Sequence, residues 1–453
     1  MTELPSPIGD AAQATSDPAL PTNVWWIVWL TGAVVVTGMA YSLWWLPVVG
    51  HGPDFWTYPS DIFGTIRASR WIESGGFSYL YSLHSGIVTL PGFAILLTPF
   101  VKLSELLNLT TSIPPAFAVP RPSQWLLIGP VTMATSAVAL AGLDALARTL
   151  GASLLRRRII LLAEAAAVWP AIVVWGHPED VLALGLAALA LSRAIEGRTV
   201  SAAWLLGGAL AMQLYVVLLL PVFIGLLGIR RGGSLLGRAA VLPGAILLAL
   251  LIPNAHATLH VLLDQPTFPK IDHPTPWVLV APHIGNGEVA GGPGRLVGLA
   301  GAAALGFVAA RHREDRLTIV WLAAAALALR CLTEAVMTPY YVAPAIALVL
   351  VVVTSRSWSR WGVVIASASA LTVLTYYRPG IWWYWLEMAA AFGLMLAVAW
   401  RRPSRVVEPS LVLALGAPGV EPLVVTGTPA RAQGHWRSPQ QGPPTPATSN
   451  GRR

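Results

Sequence analysis

VWWIVWLTGAVVVTGMAYSLWWLPVV, residues Val24 to Val49, contains no charged side chain. It exceeds the roughly 20 apolar residues that an α-helix needs to cross the hydrocarbon of a bilayer. Trp25, Trp26 and Trp29 stand towards one end and Trp44 and Trp45 towards the other, where amphipathic rings favour the interface. On its N-terminal side, residues 1 to 22 form a short polar tail with Glu3, Asp10 and Asp17 but no Lys or Arg. That tail lacks the basic start of a cleavable signal peptide, so the first helix is expected to stay.

On the other side, a polar loop from Gly50 to about Ser85 gives way to further apolar runs. They read as spans at about 123 to 146, 159 to 175, 181 to 195, 200 to 213, 215 to 229, 235 to 253, 296 to 310, 317 to 337, 341 to 354, 361 to 376 and 381 to 400. The fold class expected is therefore all-α, a polytopic transmembrane helical bundle of about 11 to 13 spans over residues 23 to 401. Residues 402 to 453, rich in Pro, Gly, Ser, Thr and Gln without apolar periodicity, are expected to be a disordered tail. Composition agrees. Hydrophobic residues make up 55% and charged residues 11%, against about 25% charged in soluble domains.

The net charge of +8 is carried almost wholly by arginine in short loops and the tail, which does not describe a nucleic-acid-binding face. Arg156 to Arg158, Arg230 and Arg231, Arg311 to Arg316, Arg356 and Arg360, and Arg401 and Arg402 recur between apolar runs, and the positive-inside rule assigns those loops to the cytoplasm. The first polar loop, the turn from Gly176 to Asp180 and residues 254 to 294 then face outside. Lys102 and Lys270 are the only lysines, and this bias with abundant alanine suggests a high-GC bacterial genome. Cys331 is the only cysteine, which excludes an intramolecular disulfide and a cysteine metal cluster. Ile87 to Leu107 looks like one span, yet the arginines on its two sides require an even number of crossings. Pro91, Pro99 and the proline-rich 114 to 122 would suit a broken or re-entrant segment there.

Ionisable groups at the edge of apolar spans are costly, so four places invite a functional reading. The first is the outer loop with His51, Asp54 and Asp61, followed by helical spacing from Ile62 to Glu73. Ser60 reads as an N-cap and Asp61 as a first-turn residue favoured by the helix dipole, which by itself could explain the aspartate. Arg67 and Arg70 lie on this helix, with Arg70 and Glu73 spaced as an ordinary surface pair. The second is Trp175, Gly176, His177, Pro178, Glu179 and Asp180, which either cap an apolar helix or form a polar site facing the same side as Asp61. His177 has no second histidine or cysteine at zinc-ligand spacing beside it. The third is a hairpin turn at Gln213 and Tyr215, where a buried amide would bind a hydroxylated ligand or satisfy local backbone. The fourth is Arg330 with Glu334, either a buried ion pair or a guanidinium offered to a phosphate, followed by Pro339, Tyr340 and Tyr341. The outer loop with Asp264, Lys270, Asp272, His273 and His283 reads as a lid or wall. Short helices at 200 to 229 would leave a cavity opening outward.

In its order of features the chain resembles the C-type superfamily (GT-C) of membrane glycosyltransferases, in particular bacterial mannosyltransferases that use polyprenyl-phosphate sugars. The resemblance rests on Asp61, then Ala68, Gly75, Gly76, Tyr79, Tyr81 and Pro91, and later on Gly176, His177, Pro178 and Glu179 leading to Glu196, Gly197 and Arg198. It covers about the first half of the chain in motifs and the remainder in topology only. Gln213 and Tyr215 stand where relatives often carry a lysine with a nearby proline.

The resemblance implies sugar transfer, mannose first and arabinose second, from a polyprenyl-phosphate donor to a cell-envelope glycan or glycolipid. Asp61 would be the base, with Asp54 as the other candidate. His177, Arg330, Arg67, Glu179, Asp180, Gln213, Tyr215 and Glu334 would serve donor or acceptor. The expected location is the bacterial cytoplasmic membrane, in contact with the lipid bilayer and with the site on the outer side. No cofactor is required, and a divalent metal ion stays open. Two other classes compete: a transporter or flippase for a lipid-linked or small polar substrate, and an inactive assembly partner.

Overall fold

The computed structural model describes residues 23–48, 55–57, 59, 61–81, 87–109, 118–120, 123–285, 287–377 and 380–400. The tails at 1–22 and 402–453, Asp54 and Ser60 lie outside the described residues.

The described chain is mostly helical. Its helices are α1 (Val24–Val48), α2 (Ile62–Glu73), α3 (Gly92–Leu106), α4 (Trp125–Ala134), α5 (Ser136–Thr149), α6 (Leu154–Val173), α7 (Pro178–Ile195) and α8 (Thr199–Met212). They continue with α9 (Leu220–Leu227), α10 (Ile229–Ala239), α11 (Val241–Asp264), α12 (Gly292–Arg311), α13 (Arg316–Thr333), α14 (Ala343–Val353), α15 (Trp358–Leu374) and α16 (Ile381–Ala399). Three small antiparallel pairs tie the loops: β1 (Phe55–Thr57) with β2 (Ala118–Pro120), β3 (His273–Pro274) with β6 (Val336–Met337), and β4 (His283–Gly285) with β5 (Glu288–Val289).

Among the described residues, six helices are long and apolar enough to cross a membrane: Val24–Trp44, Trp125–Thr149 (α4 and α5 taken together across Thr135), α11, α12, α13 and α16. Where helices touch, small residues let their backbones approach. A Cβ added to Gly142 of α5 would lie 2.2 Å from the Gly185 carbonyl oxygen of α7, and one on Gly306 of α12 would lie 2.5 Å from the Pro221 carbonyl of α9. Close backbone contact of this kind is how apolar helices gain dispersion energy when burial against lipid gives little.

Several expectations change. Ile87 to Leu107 is not one span: α3 has 15 residues with Pro99 inside it, and it packs against α2. The charges of α2 bridge to α3 instead of pairing along the helix, since Lys102 binds Glu73 and Arg70 lies 3.6 Å from Glu105. The apolar run read as a span at 235 to 253 divides. Its first residues belong to the amphipathic α10, whose arginines Arg230, Arg231 and Arg238 are exposed, and α11 extends to Asp264 with a kink at Asn254 after Pro253. Asp61 is the residue before α2 and makes no capping bond, so it does not sit in the first turn.

The helix ends sort by contact into two groups. At one end, Arg157 donates to Asp144 (2.8 Å from Nε, 2.5 Å from Nη2), and Asn23 donates to the same carboxylate at 2.8 Å. Arg156 donates to the Thr354 carbonyl, and Arg356 to that of Ala399. At the other end stand the C-terminus of α6, the N-termini of α2, α7, α12 and α16, and the C-termini of α8, α11 and α13.

Candidate functional site

The site is assembled by a turn. α6 ends after Val173, and Gly176 takes a left-handed φ of +76° that lets the His177 N–H reach back to the Ala171 carbonyl at 2.8 Å. A Cβ at Gly176 would lie 2.7 Å from Cβ of Pro59 and 3.0 Å from the Ile62 nitrogen. Glycine is thus needed twice, for the backbone and for the approach of the start of α2. That approach brings the carboxylate of Asp61 to His177.

His177 Nε2 lies 2.8 Å from Asp61 Oδ2, and its Nδ1 lies 2.6 Å from Glu179 Oε1 and 3.6 Å from Asp180 Oδ2. The imidazole stacks on Tyr340 with ring centroids 3.7 Å apart. Burial opposes its charge, but Glu179 and Asp61 outweigh burial and hold its pKa well above the usual histidine value. With both nitrogens protonated, each donates to a carboxylate. Asp61 is the accessible member, its side chain 47% exposed.

Of the two readings of Glu179 and Asp180, cap or polar site, the structure places both acids in the first turn of α7 and also in a buried polar cluster. Gln213 Nε2 donates to Asp180 Oδ2 at 3.1 Å, Gln213 Oε1 accepts the Leu214 N–H, and the Tyr215 hydroxyl donates to the Asp180 carbonyl at 3.0 Å. Gln213, in extended backbone between α8 and a 3-10 turn over Leu214–Leu219, therefore positions Asp180. One oxygen on each acid, Glu179 Oε2 and Asp180 Oδ1, is buried without a hydrogen bond.

Arg330 and Glu334 do pair, Nε to Oε1 at 3.7 Å, and Arg295 of α12, which sequence reasoning missed, binds the other Glu334 oxygen at 2.8 Å. Arg295 had a signal: it is an arginine beside a segment that the positive-inside pattern puts on the opposite face. The Arg330 guanidinium lies 3.8 Å from the Tyr341 ring and 5.2 Å from that of Tyr215. Among the described residues Glu334 is its only ion-pair partner. Arg67 is half-buried on α2, six residues beyond Asp61.

Residues 265 to 291 form a wall. Thr275 donates to the Glu334 carbonyl, Trp277 Nε1 to that of Leu332, and His273 Nε2 lies 3.0 Å from the Tyr377 carbonyl. Next to His177, a small, mostly apolar cleft of about 20 Å³ lies between α6, α14 and α15. It is lined by Ala167, Ala171, Trp175, Tyr340, Ile346 and Tyr376. Tyr340 belongs to both, one ring shared by the polar cluster and the cleft.

A metal ion fits the donor set. One ligand atom each from His177, Glu179 and Asp180 lie within 4.8 Å of one another, and the two bond-less carboxylate oxygens are the sort of buried acceptor a cation would satisfy. The chain matches no protein-family model, and no curated protein matches it.

Proposed function

We propose that this protein is a membrane glycosyltransferase that moves a sugar, mannose first and arabinose second, from a polyprenyl-phosphate donor to a glycan or glycolipid acceptor. The observation that carries the reading is the accessible Asp61 carboxylate held by His177, with Arg330 acting on the adjoining Asp180. A hydroxyl nucleophile needs a base in the transition state, and a positioned carboxylate supplies roughly 10² to 10⁴ in rate. In the proposed step the acceptor oxygen attacks the anomeric carbon and its proton passes to Asp61. The bond from that carbon to the phosphate oxygen breaks, and the lipid phosphate leaves with its electron pair. His177 orients Asp61, and Arg330 meets the charge that grows on the phosphate where water is scarce.

The proposed setting is the bacterial cytoplasmic membrane with this end of the bundle outside. Three shorter apolar helices would raise the six of span length to nine, and counting α6, α7 and α15 as crossings too would bring the total into the range of 11 to 13, with the cavity opening outward. Sugar transfer from radiolabelled polyprenyl-phosphate mannose in proteoliposomes tests the reading. Asp61→Asn is expected to lower the rate at least about 100-fold. Asp54→Asn examines the other loop aspartate, and loss in that variant alone would transfer the base to it. No transfer by the wild type with either sugar would reject the reaction in favour of transport or an assembly role.

A further inference from the structure

The polar cluster carries more negative than positive charge. Asp61, Glu179, Asp180 and Glu334 face His177, Arg295 and Arg330, four carboxylates against three cationic groups. Two of those carboxylates, on Glu179 and Asp180, are 7% and 2% exposed, and each keeps one oxygen without a hydrogen-bond donor. A buried acceptor left without a partner costs about 1–3 kcal/mol, more when charged. The arrangement is poorly balanced as a purely protein structure.

We infer that His177 Nδ1, Glu179 and Asp180 form a binding site for a single divalent cation. Two ligands on one ion at about 2.1 Å can stand at most about 4.2 Å apart, and the three donor atoms lie within 4.8 Å of one another. Neighbouring ligands on a tetrahedral ion stand closer still, roughly 3.4 Å apart, so binding draws the donors together by side-chain rotation of about 1.5 Å at most. Nδ1 and Glu179 Oε1 stand 2.6 Å apart, and a cation between them would take the place of a shared proton. Binding would displace that proton and leave the imidazole neutral, with Nε2–H still donating to Asp61 at 2.8 Å. Asp61 then supports the ligand from behind, as carboxylates commonly do for metal-bound histidines. Gln213 keeps Asp180 turned into the site through the oxygen that it already holds. One imidazole with two carboxylates suits manganese or zinc better than calcium, which takes six to eight oxygens. The inference stands on the donor geometry and does not require that the protein transfer sugars.

The test is manganese(II) binding to the purified full-length protein in detergent after chelator treatment. The electron paramagnetic resonance signal of free ion and the thermal unfolding midpoint are followed together. The expected result is one bound ion per chain and a raised midpoint. Glu179→Gln and Asp180→Asn should each weaken binding at least about tenfold, and Asp61→Asn about 10- to 100-fold. The amide oxygen in each ligand variant can keep the bond that the carboxylate makes to His177 or Gln213, so a cooperative metal-free unfolding transition in both variants separates lost binding from lost folding. A second candidate, His256, His260 and Asp264 on the exposed face of α11, is controlled by His260→Ala. The inference is overturned by no binding at millimolar manganese, by binding that Glu179→Gln and Asp180→Asn leave intact, or by binding that His260→Ala abolishes.

Discussion

At the scale of single residues, Gly176 decides whether the site exists. Gly75 at +75° and Gly176 at +76° are two of several described glycines with nearly the same positive φ, but of this pair only Gly176 has atoms in the place a Cβ would take. Alanine in that conformation costs about 1–2 kcal/mol at either position. Gly75→Ala should therefore lower the unfolding midpoint modestly and leave sugar transfer intact. Gly176→Ala adds a 2.7 Å approach to Pro59 and must push the start of α2 away from His177. Its expected outcome is the same conformational penalty with a further loss of stability and with transfer reduced towards the level of Asp61→Asn. Parallel unfolding and transfer measurements on the two variants check this, and equal effects from both would mean that the contact with Pro59 does not set the site. His177 could be picked out from its neighbours in sequence. Its partner Asp61 could be noticed but not joined to it, because the two are 116 residues apart and only the fold relates them.

At the scale of helices, two buried acids make opposite predictions. Asp144 of α5 is bonded to Arg157 of α6, whose side chain is fully buried. Asp144→Leu would leave that guanidinium without its carboxylate, and breaking one side of a buried pair costs about 3–5 kcal/mol. Glu164, also on α6 and fully buried, has no hydrogen-bond partner for either oxygen. Glu164→Leu removes an unsatisfied polar group and strands nothing, so its unfolding midpoint in detergent should rise while that of Asp144→Leu falls. A fall in both would show that Glu164 has a stabilising partner in the protein as it exists in solution. The same two residues show where sequence reading stops. Arg156 to Arg158 read as a cytoplasmic loop, yet they lie on α6 and helical spacing turns Arg157 inward against α5, and nothing local distinguishes it from its neighbours. By contrast, the uninterrupted apolar runs that became α1, α12, α13 and α16 were legible because length and apolarity are properties of one segment. The division of 229 to 264 was not, since the apolar residues that close the amphipathic α10, Leu235, Leu236 and Ala239, run directly into the apolar α11.

For the molecule as a whole, the sequence put arginine loops on one side and polar segments on the other, and the contacts sort the helix ends in the same way. α13 links the two groups: Arg316 begins it, Thr333 ends it, and its 18 residues separate them by about 27 Å at 1.5 Å per residue. Leu279, 68% exposed, belongs to the wall fixed to the end of α13 near Leu332, and Arg313 is exposed just before the start of that helix. If the positive-inside rule governs this chain, those positions face opposite compartments. Single cysteines test it, and the native background is quiet because Cys331 is buried. A membrane-impermeant maleimide should label Leu279→Cys on intact cells and label Arg313→Cys only after the membrane is opened. The reverse pattern would put Asp61 and His177 in the cytoplasm, where the proposed donor side would have to be redrawn. Labelling of both on intact cells would mean that α13 does not separate two compartments, which would contradict the bundle as a membrane-spanning unit. Arg295 and Arg330 make the measurement necessary: they are arginines on the polar end, held there by Glu334. A charge rule that counts loops cannot weigh an arginine whose position is set by a carboxylate inside the fold.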